Sequence, residues 1–119
     1  MEALGIEYIE VSEGYVLGKM PIDHRTVQPE GILSGGASLA FAETLGGLGS
    51  ALLMDLEKYS VVGTQVAANH VGMGKGDSVR GEARIIHRGK RTHVWNIDIF
   101  NEDDRLVSTI RMTNQIIER

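Results

Sequence analysis

At 119 residues with 42% hydrophobic content, the chain is long enough for one domain with a modest core and too short for two of ordinary size. A formal net charge of −4 excludes the broad basic face of a general nucleic-acid binder, and the absence of cysteine excludes disulfides and thiolate metal sites. The start "MEALGIEYIEV" lacks the regions of a signal peptide and no apolar run approaches the roughly 20 residues of a membrane span, so a cytoplasmic protein is expected, with no membrane partner.

Leu4 to Val11 and Tyr15 to Met20 read as two strands joined across "SEGY", with Pro21 ending the second because it lacks a backbone donor. From Ser38 to about Met54 the residues are small or apolar with almost no β-branching, which predicts one helix of four to five turns. Gly46, Gly47 and Gly49 each cost a helix about 1 kcal/mol against Ala, so this helix is expected to be buried on most sides, with another backbone close by. Val61 to Val71, Ser78 to His87, Thr92 to Phe100 and Leu106 to Ile116 follow as strands. "GMGKGD", "RGKR" and "NEDD" separate them as turns, which predicts an antiparallel meander. In "HVWNIDIF", strict alternation puts His93, Trp95, Ile97 and Ile99 on one face. One long apolar helix with about six strands has one economical packing, an α+β domain over residues 1–119 whose curved antiparallel sheet wraps the helix. A single helix cannot cover both sheet faces, so an outer face or an edge is expected to serve self-association.

Glu43 is the anomaly of the helix. It sits among Leu39, Ala40, Phe41, Ala42 and Leu45, where an unpartnered charge costs several kcal/mol if buried. At the helix start, the backbone N–H groups of Gly35 to Ala37 are expected to be unpaired, and the two glycines let a carbonyl oxygen approach them, aided by the helix dipole. That is the chemistry of an oxyanion hole. Gly36 and Glu43 are about 10.5 Å apart along a helix, yet donor and carboxylate must both lie near one reacting centre, so one chain cannot easily supply both and a two-fold dimer would bring them together. "HRGKRTH" places Arg88, Lys90 and Arg91 around Gly89 in a hairpin tip suited to a nucleotide phosphate, equally readable as a solvated turn. His70 and His87 could line a channel or end a strand, and His24 and His93 read as fold residues. No His and carboxylate grouping has metal-ligand spacing, so no metal is expected.

In order and spacing, "MPIDHRTVQPEGILSGGASLAFAETLGG", "VVGTQVAANHV", "VRGEARIIHRGKRTHVWNIDIFNEDDRLV" and "RMTNQII" resemble the hotdog-fold acyl-coenzyme A thioesterases. The branch is that of the 4-hydroxybenzoyl-CoA, 1,4-dihydroxy-2-naphthoyl-CoA and phenylacetate-cluster enzymes. The resemblance implies a hotdog fold, hydrolysis of a small acyl-CoA, possible aromatic acyl groups, and coenzyme A as part of the substrate with no separate cofactor. It implies that Glu43 is the catalytic carboxylate, as general base or nucleophile, that Gln28 lies in the site, and that Gly35 or Gly36 gives an N–H to the thioester oxygen. Ser34 falls where relatives carry His, and Gly47 where they carry Ser or Thr one turn after the Glu. The hairpin His87 to Arg91 would lie near the nucleotide end of coenzyme A. The assembly implied is a homodimer with interfacial sites; pairing of dimers into a tetramer is expected because closed two-fold assemblies are common. A non-catalytic acyl-CoA-binding protein and a hydratase of the same fold are the alternatives.

Overall fold

The computed structural model describes residues 4–27 and 33–119. Its elements are β1 (Glu7–Ser12), β2 (Tyr15–Pro21), α1 (Gly35–Leu53), β3 (Tyr59–His70), β4 (Ser78–Arg88), β5 (Thr92–Phe100) and β6 (Leu106–Glu118). They form one six-stranded antiparallel sheet in the order β1-β2-β4-β5-β6-β3, folded around α1. Gly14, at φ 79°, turns β1 into β2, and Pro21 is the last residue of β2.

The meander is true only of β4, β5 and β6. β3 pairs with β6, and β4 pairs with β2 and β5, so the segment between β3 and β4 is a crossover rather than a hairpin. Its glycines are the reason. Val71 and Gly72 donate to Val107 O, Gly74 O accepts from Leu33, and Gly76 adopts φ 100°. A Cβ on Gly72 would strike the Leu106 carbonyl, and one on Gly74 the Leu33 side chain. "GMGKG" thus lets the chain lie flat across the strand ends, a requirement that resembles a turn signal in sequence.

The core sits between α1 and the concave face. On β5, His93, Trp95, Ile97 and Ile99 are all buried, as their alternation predicts. They meet Phe41, Ala42, Leu45, Gly46 and Gly49 of α1. Gly46 makes room for Met112 Sδ, and Gly49 for the Trp95 ring, so these glycines admit side chains rather than a neighbouring backbone. α1 is long and apolar enough by composition to cross a membrane, but it is the helix this sheet packs against. Only that face is buried. Gly36, Leu39, Ala40, Glu43, Thr44, Gly47 and Leu48 lie on the other face, exposed or half-buried, which corrects the expectation of a helix enclosed on most sides.

Candidate active site

The helix start is organised by Ser34. In extended backbone (φ −73°, ψ 147°), its Oγ accepts from Ala37 N–H at 3.1 Å, and its carbonyl takes Ser38 N–H at 3.2 Å. Ala37 is therefore capped, contrary to expectation, while the Gly35 and Gly36 N–H groups have no acceptor among the described residues. The first turn carries no acidic side chain, so nothing within that turn offsets the positive end of the helix dipole. Gly36 is exposed and none of the described residues lies within 4 Å of where its Cβ would be, which leaves its amide open, among the described residues, to a carbonyl oxygen. Gly35 instead faces His70, whose Nε2 is 3.1 Å from the equivalent point, and His70 Nδ1 is fixed 2.7 Å from Ser108 Oγ. His70 thus belongs to the helix start. Gln28 lies outside the described residues.

Glu43 projects two turns further along, on the open face of α1. Its carboxylate is exposed and has no ion pair or hydrogen bond to the described residues. With Gly47, Ala51, Leu56, Val61, Gly63, Met112 and Asn114 it lines a cleft of about 580 Å³ between α1, β3 and β6. An apolar neighbourhood in sequence is here a groove wall, so the desolvation cost expected of a buried carboxylate does not arise within one chain.

Beneath the cleft runs a buried polar chain that sequence reasoning missed. Ser50 Oγ lies 2.8 Å from Trp95 Nε1, 2.9 Å from Asn114 Nδ2 and 2.8 Å from His93 Nδ1. Two of these partners can only donate, so the single Ser50 hydroxyl proton goes to His93 Nδ1, and His93 is the neutral tautomer protonated on Nε2. Burial pushes the His93 pKa down, and the nearby Arg88 and His87 lower it further. Asn114 Nδ2 also donates to Gly46 O at 3.2 Å. The available signal was periodicity, because Asn114 falls in the inward register of β6 with Ile110, Met112 and Ile116.

The basic hairpin lies at the other end of α1. Gly89 N–H donates to Thr92 O at 2.9 Å and closes the tip. Arg88 pairs with Glu13 at 3.0 Å and donates to Leu53 O, the C-terminal end of the helix, so it carries a local structural task. His87 is exposed beside it, and Lys90 and Arg91 line a separate cleft of about 250 Å³ with Tyr59 and Glu118. A helix of 19 residues spans about 28 Å, so one chain does not bring this tip to Gly35 and Gly36. Glu43 stands between the two.

Residues 30–108 match the Thioesterase superfamily. The chain is 39% identical to the 1,4-dihydroxy-2-naphthoyl-CoA hydrolase of Escherichia coli over 114 residues, which cover 96% of this chain and 83% of that protein. It is 40% identical to the proofreading thioesterase EntH of Klebsiella pneumoniae, covering 96% of this chain and 82% of the relative. A solved thioesterase of Staphylococcus aureus with a Gln-to-Ala substitution superposes with a TM-score of 0.94 at 40% identity, covering 98% of this chain and 96% of that one.

Proposed function

This chain belongs to the thioesterase superfamily, as a hotdog-fold thioester hydrolase, and from that premise we propose that it hydrolyses a small acyl-CoA with Glu43 of one subunit facing the helix start of another. Water adds to the thioester carbonyl carbon, Glu43 takes its proton, and the oxyanion rests on the Gly36 N–H. Collapse breaks the C–S bond and releases the acid and coenzyme A, whose sulfur recovers the proton. The alternative route makes Glu43 the nucleophile through an anhydride that water then cleaves. Gln28, Ser34 and Gly35 border the thioester in this reading, and His70 holds its place against Gly35.

The observation that carries the reading is an unpaired carboxylate on the open face of an apolar helix, inside a cleft. The separation of Gly36 from Glu43, about 10.5 Å by helix rise, supports a homodimer. So does the edge strand β3, 12 residues long and mostly exposed, with Leu52, Leu56, Val62 and Ile117 uncovered near it. The exposed Tyr8, Ile9 and Val11 of the edge strand β1 offer apolar surface for pairing dimers into a tetramer. In the S. aureus thioesterase, alanine substitutions were made at a Gln and at a Glu fifteen residues later, the interval from Gln28 to Glu43 here, which supports the assignment of both. An aromatic acyl group fits the naphthoyl substrate in the E. coli relative's name. His87, Gly89, Lys90 and Arg91, with Arg88 at their base, form the phosphate-binding end, and the cytoplasm is the compartment proposed.

Release of free thiol from a panel of acyl-CoA thioesters tests this directly. Turnover of at least one is expected, with Glu43→Gln lowering kcat by 10² or more, the scale for loss of a general base or nucleophile, while the fold is kept. Near-normal turnover by Glu43→Gln sinks the assignment. Binding without thiol release by the wild type favours a non-catalytic acyl-CoA-binding protein.

A further inference from the structure

Thr26 is 1% exposed and belongs to no helix or strand, yet its hydroxyl and its carbonyl are both engaged. Its Oγ1 accepts from Asp23 N–H and donates to Pro21 O, each at 3.0 Å. Thr26 and Val27 N–H both donate to Asp23 O, at 3.0 and 3.1 Å, so the chain leaves β2 in a tight turn closed around this side chain. The turn is tied to the core strand at Pro21. Its other tie is to α1, because Thr26 O accepts from the N–H of Ser34, the helix N-cap, at 2.7 Å. One residue earlier, Leu33 N–H donates to Gly74 O at 3.1 Å. The two residues before Gly35 are thus each held by a carbonyl from another part of the chain.

Such restraint has a chemical reason. Gly35 and Gly36 have no side chains to anchor them, and glycine backbone is the most permissive of all. None of the described residues lies within 4 Å of a Cβ on Gly36. Donors meant for an oxyanion must nevertheless be fixed before reaction, since a displacement of an ångström costs orders of magnitude in rate. Their directions are set by Ser34, and Ser34 is set by Thr26.

We infer that Thr26 is a positioning residue for the Gly35 and Gly36 donors, acting through Ser34 with its buried hydroxyl as the lock. The inference rests on the reading of the helix start as the oxyanion site. Removing the hydroxyl leaves Asp23 N–H and Pro21 O without this partner and lets the turn, and the Thr26 carbonyl with it, shift against Ser34.

The test compares Thr26→Val, which keeps the shape and loses the hydroxyl, with Thr26→Ser, which keeps the hydroxyl. Thr26→Ala repeats the comparison should the valine variant not fold. Steady-state kinetics on the best acyl-CoA substrate is expected to show kcat lowered about tenfold or more in Thr26→Val with KM nearly unchanged. Thr26→Ser should stay within about twofold of the wild type, because its hydroxyl can make the same bonds. In 15N-labelled protein, the Gly35 and Gly36 amide resonances should move in Thr26→Val and return in Thr26→Ser. A merely structural Thr26 lowers Tm in the valine variant but leaves kcat and both resonances where they were. That result, or a serine variant as impaired as the valine one, overturns the inference. Resonances that follow the hydroxyl in a protein that hydrolyses no thioester instead contradict the proposed activity alone.

Discussion

His70 stands directly over the first residue of α1, with its Nε2 3.1 Å from where a Cβ on Gly35 would lie and its other ring nitrogen 2.7 Å from Ser108 Oγ. The ring cannot retreat without giving up Ser108. Gly35→Ala is therefore expected to tilt the imidazole or the first helical turn and to disturb the N–H donors proposed for the oxyanion. A loss of about tenfold or more in kcat/KM is predicted, since ångström misplacements at a site cost on that order, with Tm close to the wild-type value. Steady-state kinetics beside a thermal melt checks it, and unchanged kinetics removes His70 and Gly35 from the site.

Gly47 and Gly49 make opposite predictions on the same helix. A Cβ on Gly49 would overlap the Trp95 ring, so Gly49→Ala should destabilise by about 1–3 kcal/mol through overpacking. None of the described residues lies within 4 Å of a Cβ on Gly47, so Gly47→Ala should gain up to about 1 kcal/mol of helix propensity. Urea unfolding of the two variants decides it, and a shared sign contradicts the packing described here.

His93 makes stability depend on pH. Its folded pKa is depressed by burial, so between that value and the ordinary value of about 6.5 the unfolded chain binds more protons than the folded one. The stability that neutral His93 supplies is present above about pH 6.5 and is lost as pH falls toward the depressed value. His93→Asn, which can still accept from Ser50, should show a shallower decline in Tm between pH 7.5 and 5. An identical decline in both proteins rules out His93 as its source.

The hairpin charges divide into two kinds. Arg88 is engaged with Glu13 and the end of α1, whereas Lys90 and Arg91 line an open cleft. Reversing Lys90 and Arg91 to Glu should raise KM for an acyl-CoA several-fold more than for the matching acyl-pantetheine, which lacks the nucleotide phosphates. Equal effects on the two substrates remove the phosphate role.

The legible parts of the sequence were those governed by local periodicity. Strand β5 has the predicted bounds and register because Trp95, Ile97 and Ile99 alternate strictly with polar residues. The helix was legible from its lack of β-branching, and it begins three residues earlier than expected because Ser34 caps Gly35 and Gly36 into the first turn. The place of β3 was not legible, since strand partners depend on a crossover whose glycines look like any turn in sequence. Glu43 and the glycine pair stood out as chemical anomalies. Asn114 did not, because a single polar residue in an apolar register reveals nothing of its partners until Gly46, Ser50 and Trp95 are placed around it.

Subunit complementation tests most directly whether one site draws Glu43 from one chain and the Gly36 amide from another. Glu43→Ala lacks the carboxylate, and Gly36→Pro lacks the donor N–H at a first-turn position where proline is tolerated. Each protein alone should be inactive. In a mixed two-fold dimer, one site carries both lesions and the other carries neither. Free assortment makes about half of the dimers mixed, so co-folding equal amounts should restore about a quarter of the wild-type activity. No recovery from folded, demonstrably mixed dimers would mean that the carboxylate and the oxyanion donor come from the same chain.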